Sequence, residues 1–449
     1  MRIFILNPLI SRKSIMNKRQ RQPLSLAIIA SLLIEDGHDV ALLDANAFGC
    51  GLKEMLEKID SFSPEALIIT TSPVDRWECP HADISDIFKV INSVKAPRKV
   101  LIGVHGTVSP QWIFTKCQVD FVVRGEPELI VRNLIQALAE NKPIGEINGL
   151  SWRRDGKVYH NHSAGRLEDL DRLPMPAYHL LPMDKYFMSG FDKPFSIMLT
   201  SRGCPYNCSF CLKAMAQGKY IAQSPERVIQ EIKYLIKNFK VKSIYFQDWE
   251  FLILPERVKK IAELILENQL NFTWGCNGRA DDIIKNQNLI ALIKQAGCRT
   301  VNLGLESASN KILKNINKNI TQAQLKEAID ILKANGLSAG LYVLLNCPGE
   351  DKATIRETVD FINQNQLKVK YFTPAVPYLG TKLFQQLQAQ FPEKKFDWDN
   401  IENYAGRVGV EMGPFWARLY LRHYKYQKKY GRMYFIKPWF FIDLLAKKL

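Results

Sequence analysis

Cysteine, acidic charge and long apolar runs are all scarce in this 449-residue chain. Its nine cysteines are scattered, and apart from one close triad none has the spacing of a pair. That pattern argues against a disulfide framework and points to a reducing cytoplasm. Acids number 45 against 61 Lys and Arg, a formal charge of +16. The excess implies an anionic partner, but net charge alone does not separate nucleic acid, a lipid surface and a phosphorylated substrate. No apolar run approaches the roughly 20 residues that span a bilayer. No cleavable apolar region precedes the first apolar run at Ile3, so neither a membrane span nor a targeting segment is expected. A G-x-G-x-x-G turn is also missing, which argues against a nicotinamide domain.

What is present reads as a soluble α/β protein. The hydrophobic fraction is 47% and the charged fraction 24%, and the length suggests roughly two to four domains. Over residues 1–145, short apolar runs such as Ile3 to Leu6, Ala66 to Ile69 and Val100 to Ile102 alternate with helical patterns. Such alternation predicts an open parallel sheet with helices on both faces and a ligand beyond the carboxyl ends of its strands. Those ends carry Asn7-Pro8, Thr70-Thr71-Ser72, Gly103-Val104-His105 and Arg124-Gly125-Glu126, small or hydrogen-bonding residues that admit a large flat or phosphorylated ligand. His105 reads either as a contact to the ligand's edge or as a hydrogen-bonding structural residue.

Residues 146–190 read as a hairpin around Asp155-Gly156 followed by the rigid linker Leu173-Pro174-Met175-Pro176. From 191 to 380 the alternation resumes with six strand-helix units, fewer than the eight of a closed barrel. An open, partial (β/α)6 barrel is the expectation, with its chemistry at the strands' carboxyl ends.

The first of those ends holds Cys204, Cys208 and Cys211 at CxxxCxxC spacing, on a loop shaped by Gly203 and Pro205. Three thiolates so close together can hold three irons of a 4Fe-4S cluster and leave the fourth iron open to another ligand. Structural zinc normally takes four ligands, and the next cysteine, Cys276, lies in a different element. Later strand ends carry Asp248 and Glu250, then Cys276-Asn277-Gly278-Arg279, Gly304-Leu305-Glu306-Ser307 and Cys347-Pro348-Gly349-Glu350.

The triad, with Phe210 before its last cysteine, resembles the signature of the radical S-adenosylmethionine (SAM) enzymes. Trp274 to Arg279 is similar to that family's WGCNxR pattern, Gly304 to Ser307 to its G-[IL]-E-S, and Asn346 to Glu350 to its G-x-P-G-E. Residues 1–145, by Asn7-Pro8, Gly37-His38-Asp39-Val40 and the Arg124 to Glu128 loop, resemble the Rossmann-like cobalamin-binding domain of the class that includes magnesium-protoporphyrin ester cyclases and radical SAM methyltransferases. There are departures. The usual Gly-Gly-x-His turn reads Gly103-Val104-His105-Gly106, no Asp-x-His-x-x-Gly motif appears, and Gln247 and Trp249 interrupt the acidic run around Asp248.

The resemblance implies that Cys204, Cys208 and Cys211 ligate the cluster and that its open iron chelates SAM, whose reductive cleavage gives a 5'-deoxyadenosyl radical. It places Glu306 on the SAM ribose or amino group, Arg279 on the carboxylate, Phe210 on the adenine through its backbone and Pro348-Gly349 around the adenine, with Asp248 also at the SAM site. It assigns Asn7, Pro8, Thr71, Ser72, Gly103, His105, Gly125 and Glu126 to cobalamin. The implied reaction is methylation of an unactivated carbon of a small-molecule or lipid-like substrate, with an external one-electron reductant such as flavodoxin or ferredoxin. The alternatives are radical ring closure or carbon-carbon bond formation on a tetrapyrrole or lipid and, apart from catalysis, electron transfer. Cys276, Cys298 and Cys347 read as buried thiols or radical partners. Cys50, Cys79 and Cys117 do not match the second cluster of methylthiotransferases.

Residues 381–449 form a basic extension. Between Phe415 and Leu449 stand nine Lys or Arg and one acid, Asp443. Arg418, Arg422, Lys425, Lys429 and Arg432 recur at helical steps, roughly opposite Trp416, Tyr420 and Tyr424. Such a helix can lie at an anionic membrane surface or pack its aromatics on the barrel. No nucleic-acid-binding module is evident, so nucleic acid is not expected as the partner.

Overall fold

A computed structural model describes residues 1–9, 20–216 and 218–409. The basic, aromatic segment read as a helix that lies at a membrane surface or packs on the barrel falls outside the described residues. The chain divides into two compact units. The first is Met1–Pro205 with Leu212–Cys276 and Gln295–Cys298; the second is Tyr206–Cys211 with Asn277–Lys294 and Arg299–Leu449.

The first unit begins with strands β1 (Arg2–Asn7), β2 (Asp39–Asp44), β3 (Ala66–Thr70), β4 (Arg98–Ile102), β5 (Phe121–Val123), β6 (Leu150–Arg154) and β7 (Lys157–His160). Their order in the sheet is β2-β1-β3-β4-β5-β6-β7. The first five run parallel, and β1 and β3 are buried along nearly their whole length, as strands covered on both faces must be. Helices Leu24–Glu35 and Pro127–Ala139 build one apolar layer with Ile3, Ile5, Ile68 and Val100. Helices Leu52–Phe62 and Ser85–Ser93 build the opposite layer with Phe4, Leu6, Leu67 and Leu101.

One expectation is corrected. The first sheet is not parallel throughout, because β6 of the hairpin pairs antiparallel with β5 through Phe121 and Trp152. The sheet is therefore mixed. The hairpin supplies hydrogen-bonding partners to a strand edge that would otherwise stay open.

The same unit carries β8 (Phe195–Met198), β9 (Ser201–Arg202), β10 (Ile221–Ala222), β11 (Ser243–Phe246) and the start of β12 (Thr273–Gly278). β8, β11 and β12 are parallel neighbours, and β9 pairs antiparallel with β10. Gln22 reaches this sheet from 173 residues away: its Nε2 donates to the Phe195 carbonyl at 3.0 Å and its Oε1 accepts from Ile197 N at 3.1 Å. A buried side-chain amide thus pairs with the edge of β8 as a neighbouring strand would.

The second unit contributes the parallel strands β13 (Cys298–Glu306), β14 (Ser338–Leu345) and β15 (Val369–Pro374). A bulge between Gly304 and Glu306 re-aims the end of β13. Helices follow the strands as the periodicity predicts, among them Pro225–Phe239 with a Ser224 cap and Gln322–Ala334 with a capping box at Thr321. Among the described residues no helix is long and apolar enough to cross a membrane.

Candidate active site

Asp248, just past β11, is completely buried and holds the strand end that leads into the cysteine loop. Its carboxylate accepts from Thr200 N and Thr200 Oγ1, both at 2.6 Å, and from Ser201 N at 3.1 Å. Burial raises its pKa, while Arg257 and these hydrogen bonds work against that rise. In the next stretch Lys213 Nζ donates to the Cys204 carbonyl at 3.0 Å.

Within the second unit, the loop from Tyr206 to Cys211 is bracketed by the turn after helix Asn310–Asn315. Ser209 N donates to the Ile316 carbonyl at 2.9 Å, and Asn317 Nδ2 to the Asn207 carbonyl at 2.7 Å. Arg279, past β12, stacks its guanidinium 3.6 Å from the centroid of the Tyr206 ring and brings Nη1 to 3.9 Å from Cys208 Sγ. It also donates to Asp281 and, through Nη2, to the Lys318 carbonyl at 2.9 Å.

Lys318 itself is buried and donates to Glu306 Oε1 at 3.0 Å. Burial alone would lower its pKa, but Glu306 and then Cys208 outweigh that cost and raise it. Glu306 sits at φ +56°, a left-handed conformation that a non-glycine residue keeps only when its surroundings enforce it. The pair lies directly over Gly304, where a Cβ would stand 2.3 Å from Glu306 Oε1 and 2.5 Å from Lys318 Nζ. Lys318 falls in a polar stretch without periodicity and was not legible as a site residue.

Pro348 and Gly349 form a half-buried turn fastened by Asn315 Nδ2 to the Pro348 carbonyl at 2.8 Å and by Gly349 N to the Gly409 carbonyl at 2.8 Å. Glu350 closes the turn by accepting from the backbone of Asn346 and Cys347, and burial pushes its pKa up to about 7. Phe210 is half-buried. Cys276, Cys298 and Cys347 are buried thiols.

In the N-terminal sheet, Gly103 adopts φ +111°, and a Cβ there would stand 2.6 Å from Thr71 Oγ1 and 2.9 Å from Ser72 Oγ. Ser72 Oγ accepts from Val104 N at 2.9 Å, so the ends of β3 and β4 close into one tight cradle. Thr107, in the same strand-end stretch, links this cradle to the next loop by accepting from Gly125 N at 3.0 Å. Pro8 is buried, and Asn7 is committed to Asp44, whose other oxygen takes Tyr186 OH; burial raises Asp44 to a pKa of about 6. His105 is fully buried, places Nε2 2.8 Å from the His81 carbonyl and is lowered by burial to about 3, which favours the neutral ring. The Glu126 carboxylate is engaged by Arg166 Nε at 2.9 Å, Leu167 N at 3.0 Å and Arg202 Nη1 at 3.2 Å.

The donor chemistry fits the expected cofactors. Cys204, Cys208 and Cys211 are half-buried, and the buried Arg279 and Lys318 side chains lie near Cys208, a cationic setting of the kind found at metal-binding cysteines. Among the described residues no three His, Cys, Asp or Glu side chains are drawn together around a metal position. The triad's assignment therefore rests on its donor set and spacing. At Gly103 the approach of Thr71 and Ser72 leaves no room for a Cβ, so the ends of β3 and β4 pack against bare backbone there.

Residues 198–362 match the Radical SAM superfamily model. An uncharacterised methyltransferase of Pyrococcus horikoshii, PH0819, is 34% identical over 81% of this chain and 78% of its own length. The anaerobic magnesium-protoporphyrin IX monomethyl ester cyclase of Rubrivivax gelatinosus is 29% identical over 81% of this chain and 66% of its own. The solved cobalamin-dependent SAM radical enzyme OxsB, with aqua-cobalamin and SAM bound, superposes with a TM-score of 0.67 at 20% identity, over 80% of this chain and 51% of that one, a likeness of fold.

This chain belongs to the radical SAM superfamily. It is an enzyme of that family, whose cofactors are a 4Fe-4S cluster and SAM.

Proposed function

We propose that the chain is a cobalamin-dependent radical SAM methyltransferase acting on an unactivated carbon of a small-molecule or lipid-like substrate. The observation that carries this reading is the similarity to a relative named as a methyltransferase over 81% of the chain, a span too long for the radical SAM region alone. It takes in strand ends of the N-terminal sheet, where the Gly103 cradle stands. The corresponding division is a cobalamin domain at 1–145, a connecting hairpin and linker at 146–190, the radical SAM partial barrel at 191–380 and a basic extension at 381–449.

When bound, the cluster supplies reductive cleavage of SAM and cobalamin a methyl-carrying cobalt. The chain's own residues bind and orient. Arg279 and Lys318 are cations suited to a carboxylate, Glu306 accepts from hydroxyl or ammonium, and the Pro348-Gly349 turn supplies a backbone wall. Asp248 keeps the entry to the cysteine loop fixed, which limits the reorganisation left for the reacting state. The electron comes from an external one-electron reductant such as flavodoxin or ferredoxin in a reducing cytoplasm. The segment from Phe415 to Leu449, with half of the net charge, suits an anionic membrane surface.

The test is anaerobic reconstitution with iron, sulfide and hydroxocobalamin, followed by desalting and optical spectra. One cobalamin retained per chain supports the reading; none retained overturns it while leaving membership of the superfamily intact. A second reading, radical ring closure, is favoured by the named cyclase relative. The two differ in coproducts, because methylation releases S-adenosylhomocysteine together with 5'-deoxyadenosine, whereas ring closure releases 5'-deoxyadenosine without it.

A further inference from the structure

The strand end that enters the cysteine loop is fastened to the N-terminal sheet by a buried charge cluster drawn from four separate segments. Arg202 is only 5% exposed. Its Nη1 and Nη2 donate to the two oxygens of Glu128 at 3.0 and 2.8 Å, and Nη1 also reaches Glu126 at 3.2 Å. The guanidinium lies 5.4 Å from the centroid of the Trp77 ring, on the loop that follows β3. Arg166, beyond the hairpin, grips Glu126 and also donates to the Lys219 carbonyl at 3.1 Å. That same carbonyl lies 2.8 Å from where a Cβ on Gly203 would stand. The backbone between Arg202 and Cys204 is therefore confined from two sides. Nearby, Trp249 Nε1 at the end of β11 donates to Glu78 Oε2 at 3.1 Å, a second tie between the same two sets of loops.

Stability alone does not account for such a cluster. Well-packed apolar residues of similar volume often replace a buried ion pair at no cost or with a gain. A planar guanidinium forked onto a carboxylate adds geometric register, which an apolar contact lacks. Here the register runs from the Gly125-Glu126 turn of the N-terminal sheet to a residue two positions before Cys204.

We infer that Arg202 is a positioning residue: its fork onto Glu128 fixes the entry of the cysteine loop against the carboxyl-end loops of the N-terminal sheet, and so sets the placement of cluster and cobalamin relative to one another. The inference rests on the cobalamin reading proposed above. Arg202 and Glu128 touch neither cofactor in this account. Their effect passes through the backbone of residues 203–204 on one side and 125–127 on the other.

The test uses the full chain, anaerobically reconstituted with cluster and cobalamin and reduced so that both are paramagnetic. Electron paramagnetic resonance then reads the spin-spin interaction between them. Arg202→Lys keeps the charge and loses the fork, whereas Glu128→Gln keeps the shape and loses the charge. The expected result is iron and cobalamin contents like the wild type, with an interaction that is weakened or broadened in both variants. Glu128→Gln keeps the Arg202 bond to Glu126, so it gives the reading even where Arg202→Lys does not fold. A lowered melting temperature with an unchanged spin-spin interaction means that the pair only holds the fold together, and overturns the inference. Wild-type chain that retains no cobalamin removes the functional reading and this inference with it. Wild-type chain that retains cobalamin, beside variants indistinguishable from it, removes the inference alone.

Discussion

Lys318 and Glu306 form a buried ion pair at 3.0 Å that lies across Gly304, with Cys208 close enough to stabilise the lysine's charge. The pair occupies the space any side chain at 304 would need. Gly304→Ala should push the carboxylate and ammonium aside rather than break the strand, because both obstructing atoms are the far ends of flexible side chains. The expected outcome is a loss of SAM affinity of about tenfold, equivalent to about 1.4 kcal/mol, with iron content unchanged. Equilibrium dialysis with labelled SAM measures it. Lys318→Met, which leaves Glu306 buried and unpaired, should cost more, about 3 kcal/mol of folding stability.

Asp248 anchors Thr200 and Ser201 by three hydrogen bonds from a fully buried position. Asp248→Ala strands two backbone donors and a hydroxyl, so a loss of about 3 kcal/mol is expected in urea unfolding. The cysteine loop begins three residues after Ser201, and faster loss of iron from the reconstituted variant is the second expected effect. Normal stability and normal iron retention would show that the loop is held by other contacts.

Glu350 provides a pH-dependent signature. Its carboxyl is raised to about 7 by burial, from an ordinary value of 4.5. Between those two values the folded chain holds a proton that the unfolded chain has released, so folding stability falls as pH rises through this window and stays at the lower level above about 7. The full span amounts to about 3 kcal/mol. Glu350→Gln carries no such proton and keeps an oxygen for the Asn346 and Cys347 backbone. Its stability relative to the wild type should therefore be unchanged near pH 4 and increasingly favourable towards pH 7. Denaturant unfolding of both chains across pH 4–8 checks the sign as well as the size.

The contrast between what was legible in the sequence and what was not follows sequence separation. β1, β3, β11 and β14 announce themselves as local apolar runs, and the Cys204 to Cys211 spacing is a local pattern, so both were readable. Lys318 was not, since its meaning depends on Glu306, twelve residues earlier in the chain, which a bulge turns back over Gly304. The Gln22 pairing with β8 and the Arg202 fork onto Glu128 join segments 173 and 74 residues apart, and no local pattern tells which residue pairs with which. The hairpin's place in the first sheet was missed for a related reason: alternation identifies a strand but not which edge it covers.

Gly103 offers a separate test of the N-terminal site. At φ +111° and with Thr71 Oγ1 2.6 Å from a prospective Cβ, it tolerates no side chain without displacement of the β3 and β4 ends. Gly103→Ala is expected to lower cobalamin retention at least tenfold while iron content and reductive SAM cleavage persist, because the cysteine loop is built from other residues. Optical spectra after desalting measure the retained cobalamin. Full retention in the variant would place the cofactor elsewhere.

The most direct measurement is 5'-deoxyadenosine formed from SAM by the anaerobically reconstituted chain with a strong reductant, set beside Cys208→Ala. The account predicts 5'-deoxyadenosine from the wild type and none above background from the variant. An intact cluster that cleaves no SAM, or a Cys208→Ala chain that cleaves it as well as the wild type, would contradict the assignment of this cysteine loop as the reaction centre.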